Sequence, residues 1–235
     1  MSEKPILGVL LGNSAGVGPE LVAMLAVRDY YKDHCRPVVI GDLRMFEHGL
    51  KVVGGQVPHY VVSDVSECDW TRGIPVLDMK DQDPEQVVYG EANEYCGASD
   101  LRQLDLGIEL CKSGKIEGFI FGPFHKGAMK MAGLHDESEH TYLAHAFNLT
   151  TPFCEVNMMD DLMTVRATSH IPISDVSANL TETTLREAIE LGEITGESLG
   201  HKPRVAVAAL NPHRGEFGLC GRDEVDITGL TLAKS

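Results

Sequence analysis

Pro5-Ile6-Leu7-Gly8-Val9-Leu10-Leu11, followed at once by Gly12-Asn13-Ser14-Ala15-Gly16-Val17-Gly18-Pro19-Glu20, is the stretch that decides the fold. The first half is a continuous apolar run, as expected of a strand in a parallel sheet covered on both faces. The second half reads as a turn that opens a helix. Pro19 suits the first helical position, where a missing amide costs nothing, and Glu20 complements the positive end of the helix. The helix runs on through Leu21-Val22-Ala23-Met24-Leu25-Ala26-Val27, and Pro37-Val38-Val39-Ile40-Gly41-Asp42 is a second buried strand. The chain therefore opens with a βαβ unit.

Further along, Tyr60 to Val65 and Ile74 to Asp78 read as short strands. Gly97 to Ser113 reads as a helix with Leu101, Leu104, Ile108 and Cys111 on one face. Gly118 to Pro123 is a strand ending in a turn, Thr141 to Phe147 a short helix, and Leu162 to Ala167 a strand leading to His170. Thr181 to Leu199 is the longest helix, with Thr181 or Thr183 as its cap. Arg204 to Leu210 reads as a strand leading to His213, and Asp223 to Asp226 as the start of another helix. This alternation predicts an α/β fold with mainly parallel sheets.

The 235 residues carry 43% hydrophobic side chains, 23% charged ones and a formal net charge of -15. That charge argues against nucleic acid, whose phosphates need a basic footprint, while a small anionic substrate stays compatible with local positive groups. No run approaches the ~18 apolar residues of a membrane span. The start shows no basic region followed by an apolar stretch, so no secretory signal is expected. Six cysteines (35, 68, 96, 111, 154 and 220) lack CxxC spacing, which favours reduced thiols in a cytoplasmic chain over disulfides or a zinc ribbon.

Two histidines stand out as metal ligands. His170 lies in Ser169-His170-Ile171-Pro172, and His213 in Asn211-Pro212-His213-Arg214-Gly215-Glu216, each after an apolar β-branched run. Neutral imidazole binds divalent metals readily, but a catalytic site usually takes three protein ligands, and a third is not visible here. Zinc suits such ligands; magnesium or manganese would need carboxylate and water in addition. Asp175 either orients a ligand histidine or caps the next helix. Lys126 follows a strand end in Gly122-Pro123-Phe124-His125-Lys126. It reads as a catalytic proton carrier or a partner for phosphate or carboxylate, against a solvated lysine at a helix start; His125 is left open between a role and none. The glycines at 12, 16 and 18 do not make the GxGxxG spacing, so no dinucleotide is assigned to that loop. Histidines 34, 48, 59, 135, 145 and 201 read as surface or core residues.

Five segments in order, Gly12 to Glu20, Gly122 to Lys126, Glu139-His140-Thr141, Ser169 to Pro172 and Asn211 to Glu216, resemble the 4-hydroxythreonine-4-phosphate dehydrogenase family of pyridoxal-phosphate synthesis. The resemblance spans essentially the whole chain. It implies the two-domain architecture of isocitrate and isopropylmalate dehydrogenases, with a first α/β domain over 1–125, a second over 126–235, and a homodimer whose interface completes the site. It implies oxidation of a secondary alcohol beside a carboxylate with NAD or NADP and a divalent metal, then loss of CO₂ from the keto acid. The implied substrate is a small phosphorylated hydroxy acid such as 4-hydroxythreonine 4-phosphate. On this resemblance His140 and Thr141 bind substrate through its carboxylate or hydroxyl, the alternative being a helix cap by Thr141.

His170 and His213 match two of that family's three metal ligands. The third, in a Tyr-His-Asp-Gln segment, and the return segment with its nucleotide contacts have no counterpart, so the chain resembles a member shortened at its C-terminus. Asn13-Ser14 stands where the family usually has Asp-Pro or Glu-Pro, and Glu139 and Tyr142 replace a glycine and an acid. These departures imply a paralogue acting on 4-phosphothreonate, 4-phosphoerythronate or a dihydrodiol, or else a non-catalytic remnant that binds a metal, an anion or a longer relative. An isopropylmalate-type enzyme fits poorly, because those bind metal through clustered aspartates.

Overall fold

The computed structural model describes residues 4–160, 162–200 and 202–232, so the readings of His201 and of the first three residues lie outside it. The chain forms two compact units, Met1–Phe147 and Asn148–Ser235. Among the described residues no helix is long and apolar enough to cross a membrane.

The first unit is built on β1 (Ile6–Leu10), β2 (Arg36–Gly41), β3 (His59–Val62), β4 (Ile74–Asp78) and β5 (Gly118–Phe121). They form one sheet in the order β3-β4-β2-β1-β5, and every pairing is parallel. β1 is held on both sides, with Leu7 opposite Pro37 of β2 and Gly118 of β5. Helices α1 (Gly18–Val27) and α2 (Leu43–Val52) cover one face and α3 (Glu94–Lys112) and α4 (Lys126–Met131) the other. Val9, Val39 and Val76 pack with Val22, Met45 and Phe46 on the first face, and Leu10, Ile40 and Leu77 with Leu104 and Met129 on the second. Alternating strand residues thus feed two cores, which is why these strands read as unbroken apolar runs.

Local side chains set the element boundaries. Asp42 ends β2 and caps α2, accepting the Arg44 amide at 2.9 Å. α2 is absent from the sequence reading because it follows its strand with a single intervening residue. β3 stops at Val62, three residues before its expected end, and the next turn is capped by Asp64. α3 starts at Glu94 rather than Gly97, because Asn93 accepts the Cys96 amide at 2.8 Å. α5 (Glu139–Ala146) likewise begins two residues early, on a Ser138 cap. β5 lies at the sheet edge with Ile120 and Phe121 43% and 44% exposed. An apolar groove of about 260 Å³ runs beside it, lined by Leu21, Met24, Tyr30, Ile120 and Phe121.

The second unit holds a short antiparallel hairpin, β6 (Asn157–Met159) and β7 (Leu162–Thr164), with α6 (Val176–Asn179), α7 (Glu182–Ser198) and α8 (Gly229–Leu232). α7 is capped as expected by Thr181, whose hydroxyl and that of Thr184 each meet the other's amide. The expected strand at Arg204–Leu210 does not form. Val205 and Leu210 are each 46% exposed, and among the described residues no strand pairs with this run. β-branched composition favours a strand only where a neighbour completes its ladder.

The compact division falls at Phe147, later than the expected boundary at 125. α4 packs tightly on α3: a Cβ on Gly97 would lie 2.0 Å from the Ala128 carbonyl oxygen. Gly97→Ala therefore sets two effects against each other. Helix propensity gains about 1 kcal/mol, whereas a clash with rigid backbone typically costs about 1–3 kcal/mol and here meets no flexible side chain that could yield. The expected result is a lower urea midpoint at unchanged m-value; a raised midpoint would show that α3 and α4 do not meet at this distance.

Candidate active site

The chain winds from β1 toward β2 on one side and returns to place β5 on the other, so the loops after β1 and β5 flank the point where the winding reverses. Open α/β sheets place their ligands at such points. Here the two loops are locked together. The Asn13 amide donates to the Pro123 carbonyl at 3.0 Å. A Cβ on Gly12, whose φ is +77°, would lie 2.5 Å from the Gly122 carbonyl carbon, and one on Gly18 would lie 2.2 Å from the Leu11 oxygen. The glycine spacing thus serves backbone-to-backbone contact. Gln103 of α3 closes the loop from beneath, accepting the Gly12 amide at 2.9 Å and donating to the Gly12 carbonyl and Ser99 Oγ, both at 3.2 Å.

Asp100, also on α3, is 0% exposed. Its Oδ2 accepts from Asn13 Nδ2 at 2.7 Å and from the His125 amide at 3.4 Å. Its Oδ1 has no partner among the described residues. Burial pushes this carboxyl up to about 7, opposed by the two hydrogen bonds and reinforced by Glu139 and Asp81. Neither Asp100 nor Gln103 lies in a distinctive motif of the sequence. The available signal was their placement on the same helical stripe as Cys96, Leu104 and Gly107, all buried.

Lys126 is the first residue of α4 and is exposed. A cation there opposes the helix dipole. His125 is the cap: its Nδ1 accepts the Ala128 amide at 3.1 Å, so that ring nitrogen carries no proton. His140 and Thr141, half-buried, lie in the first turn of α5. His140 Nδ1 meets Ser138 Oγ at 3.3 Å, and the Thr141 hydroxyl meets the same oxygen at 3.1 Å. Ser138, not Thr141, is the cap, which leaves the Thr141 side chain without that structural duty. Tyr142 is tied to α3 through Asp105; burial and that bond push its hydroxyl up to about 12. Asp100 accepts the His125 amide at the start of α4, and the charge of Glu139, the first residue of α5, acts on it from further away.

In the second unit His170 and His213 are exposed, with φ of 57° and 52°. Histidine is among the residues that tolerate this left-handed region. His170 Nδ1 meets Ser169 Oγ at 3.0 Å. His213 opens five consecutive left-handed residues ending at Phe217. That segment is pinned at Asn211, whose amide donates to Glu224 at 2.7 Å and whose side chain donates to Asp223 and Glu224 at 2.8 and 2.9 Å. Asp175 Oδ1 accepts from Ser174 Oγ, and its side chain does not cap α6. Among the described residues no group of three or more His, Cys, Asp or Glu side chains is placed to hold a metal ion. The donors present do not by themselves make a complete metal centre.

The raised Asp100 carboxyl has a definite sign for stability. Between about pH 4 and about pH 7 the folded protein holds a proton that the unfolded chain has released, so stability is greatest at the acid end and falls as pH rises through the window. The width of that window bounds the effect at roughly 4 kcal/mol. Asp100→Asn should flatten this part of the urea-stability profile and exceed the unmodified protein above pH 7. An unchanged slope would mean that Asp100 stays ionised.

A family model described as pyridoxal phosphate biosynthetic protein PdxA matches residues 33–234. A Pseudomonas aeruginosa protein provisionally named 4-hydroxythreonine-4-phosphate dehydrogenase 2 is 33% identical over 233 residues, covering 98% of this chain and 69% of the relative. A D-threonate 4-phosphate dehydrogenase of Bordetella bronchiseptica is 31% identical, covering 100% of this chain and 67% of its own. The crystal structure of 4-hydroxythreonine-4-phosphate dehydrogenase from Klebsiella pneumoniae superposes with a TM-score of 0.85 at 25% identity, over 98% of this chain and 71% of that one. The chain thus spans about two thirds of the length of these relatives, and it belongs to the PdxA family of dehydrogenases.

Proposed function

We propose that this chain oxidises the alcohol of a small phosphorylated hydroxy acid, either 4-hydroxythreonine 4-phosphate or D-threonate 4-phosphate, and that the resulting keto acid loses CO₂. The observation that carries this reading is the pairing of family membership with the positions of Lys126, His140 and Thr141 at the starts of two helices of the first unit, α4 and α5. A nicotinamide cofactor, NAD or NADP, would supply the hydride acceptor; no residue of the chain is assigned to it. Lys126 would hold or move a proton at its Nζ, or pair with the substrate's phosphate. The ring of His140 and the hydroxyl of Thr141 would orient the substrate's carboxylate or hydroxyl. A divalent ion (zinc, magnesium or manganese) would supply Lewis-acid polarisation, with His170 and His213 as two of its ligands. Because the third ligand is missing from the described residues, no step is derived through that ion. The two-domain, homodimeric arrangement of isocitrate-type dehydrogenases and a cytoplasmic location belong to the same proposal.

A second reading is a chain that binds a metal or a longer relative without turning over, with the exposed His170 and His213 as its candidate ligands.

The test is a spectrophotometric assay of the purified chain with both substrates, both nucleotides and each metal. Weak turnover is expected of the chain by itself, with Lys126→Met lowering kcat by about 10²-fold or more and His140→Ala acting mainly on KM. Calorimetric zinc titration of the same preparations separates the two readings. Absent turnover with saturable binding lost in both His170→Ala and His213→Ala supports the second reading, and absent turnover with no binding overturns both.

A further inference from the structure

The described residues contain one buried ionisable group that the proposed chemistry does not use and that touches both loops of the site. We propose that Asp100 is a positioning residue: through Asn13 and the His125 amide, its carboxyl sets the Lys126-bearing turn against the glycine-rich loop, and it does so in its neutral form. This inference rests on the reading of Lys126 given above.

The geometry carries it. A single oxygen, Oδ2, accepts from Asn13 Nδ2 at 2.7 Å and from the His125 amide at 3.4 Å. The first donor belongs to the loop after β1 and the second to the turn after β5, immediately before Lys126. The other oxygen is buried without a partner among the described residues. A carboxylate with one fully desolvated, unpaired oxygen is far costlier than a neutral acid in the same place.

Among the described residues, the charged groups that act most on Asp100 are themselves acids. α5 presents Glu139, and the segment before α3 presents Asp81, whose carboxylate is already paired with Arg102 at 2.8 Å. α3 itself contributes Cys96, and the start of α4 contributes His125, whose Nδ1 is occupied by the Ala128 amide. The loop after β1 presents the uncharged Asn13. Ionisation would therefore draw water to Oδ1, and the nearest route is separation of the two loops that Oδ2 joins. The chain has Asn13 at a position where its family resemblance leads one to expect an acid, and an acid there would face Asp100 as a second carboxyl.

The test is amide hydrogen exchange on the full chain between pH 5.5 and 8.5, corrected for intrinsic exchange, with segments 12–18 and 122–127 as the readout. In the unmodified protein both segments should lose protection together, about tenfold or more, as pH passes roughly 7. Asp100→Asn keeps an acceptor oxygen and cannot ionise, so it should hold both segments protected across the range. Asn13→Ala, which leaves the carboxyl in place, should loosen segment 12–18 at every pH. Flat protection in the unmodified protein, or a pH step that survives in Asp100→Asn, overturns the proposal. So does loss of protection spread equally over β2 and β4. Exchange is read without turnover, so a negative result here is distinct from failure of the catalytic reading of Lys126.

Discussion

The part of the candidate site that lies in the first unit depends on how closely three backbone segments approach at the ends of β1 and β5. Leu11, Gly12 and Gly18 on one side and Gly122 on the other leave no room for a single added methyl group. That contact is possible because β1 is bonded on both sides, so the strand cannot shift to relieve pressure at its end. The constraint fixes where α1 begins and where the turn toward Lys126 leaves the sheet. It also creates a buried place for polar side chains. Backbone amides and carbonyls brought this close lose water, and Gln103 and Asn13 replace it.

The first unit was largely legible in the sequence because its elements obey simple periodicities. β1, β2, β4 and β5 are each marked by an apolar run that ends at a glycine or an aspartate, and α1 by Pro19 in its first turn. Element starts were less legible, since α3 and α5 are fixed by Asn93 and Ser138, and a cap is visible only once its amide partner is known. The run at Arg204–Leu210 misled for the opposite reason. Its composition is strand-like, but a strand is a property of a pair, and the described residues supply no second member.

The candidate site divides along the same line. Residues with distinctive chemistry in distinctive contexts, Lys126, His140, Thr141, His170 and His213, could be named from sequence. Asp100 could not, because an aspartate in a helix is usually a solvated face, and only three-dimensional packing shows that no water reaches this one. The same packing gives His125 a plain structural task as a cap. His170 and His213 are held in left-handed backbone that non-glycine residues enter at a cost, which the Asn211–Glu224 bonds help to meet for His213.

The order of strands has a consequence for biosynthesis. β1 emerges first, yet its second neighbour is β5, so Leu7 must wait for Gly118 before its ladder is complete. At roughly 5–20 residues per second the ribosome leaves that edge open for several seconds. During that interval an apolar segment, Val9-Leu10-Leu11, has β2 on one flank and nothing on the other. Apolar surface left open in this way is prone to aggregate, and β1 is the last strand of the parallel sheet to gain both of its neighbours.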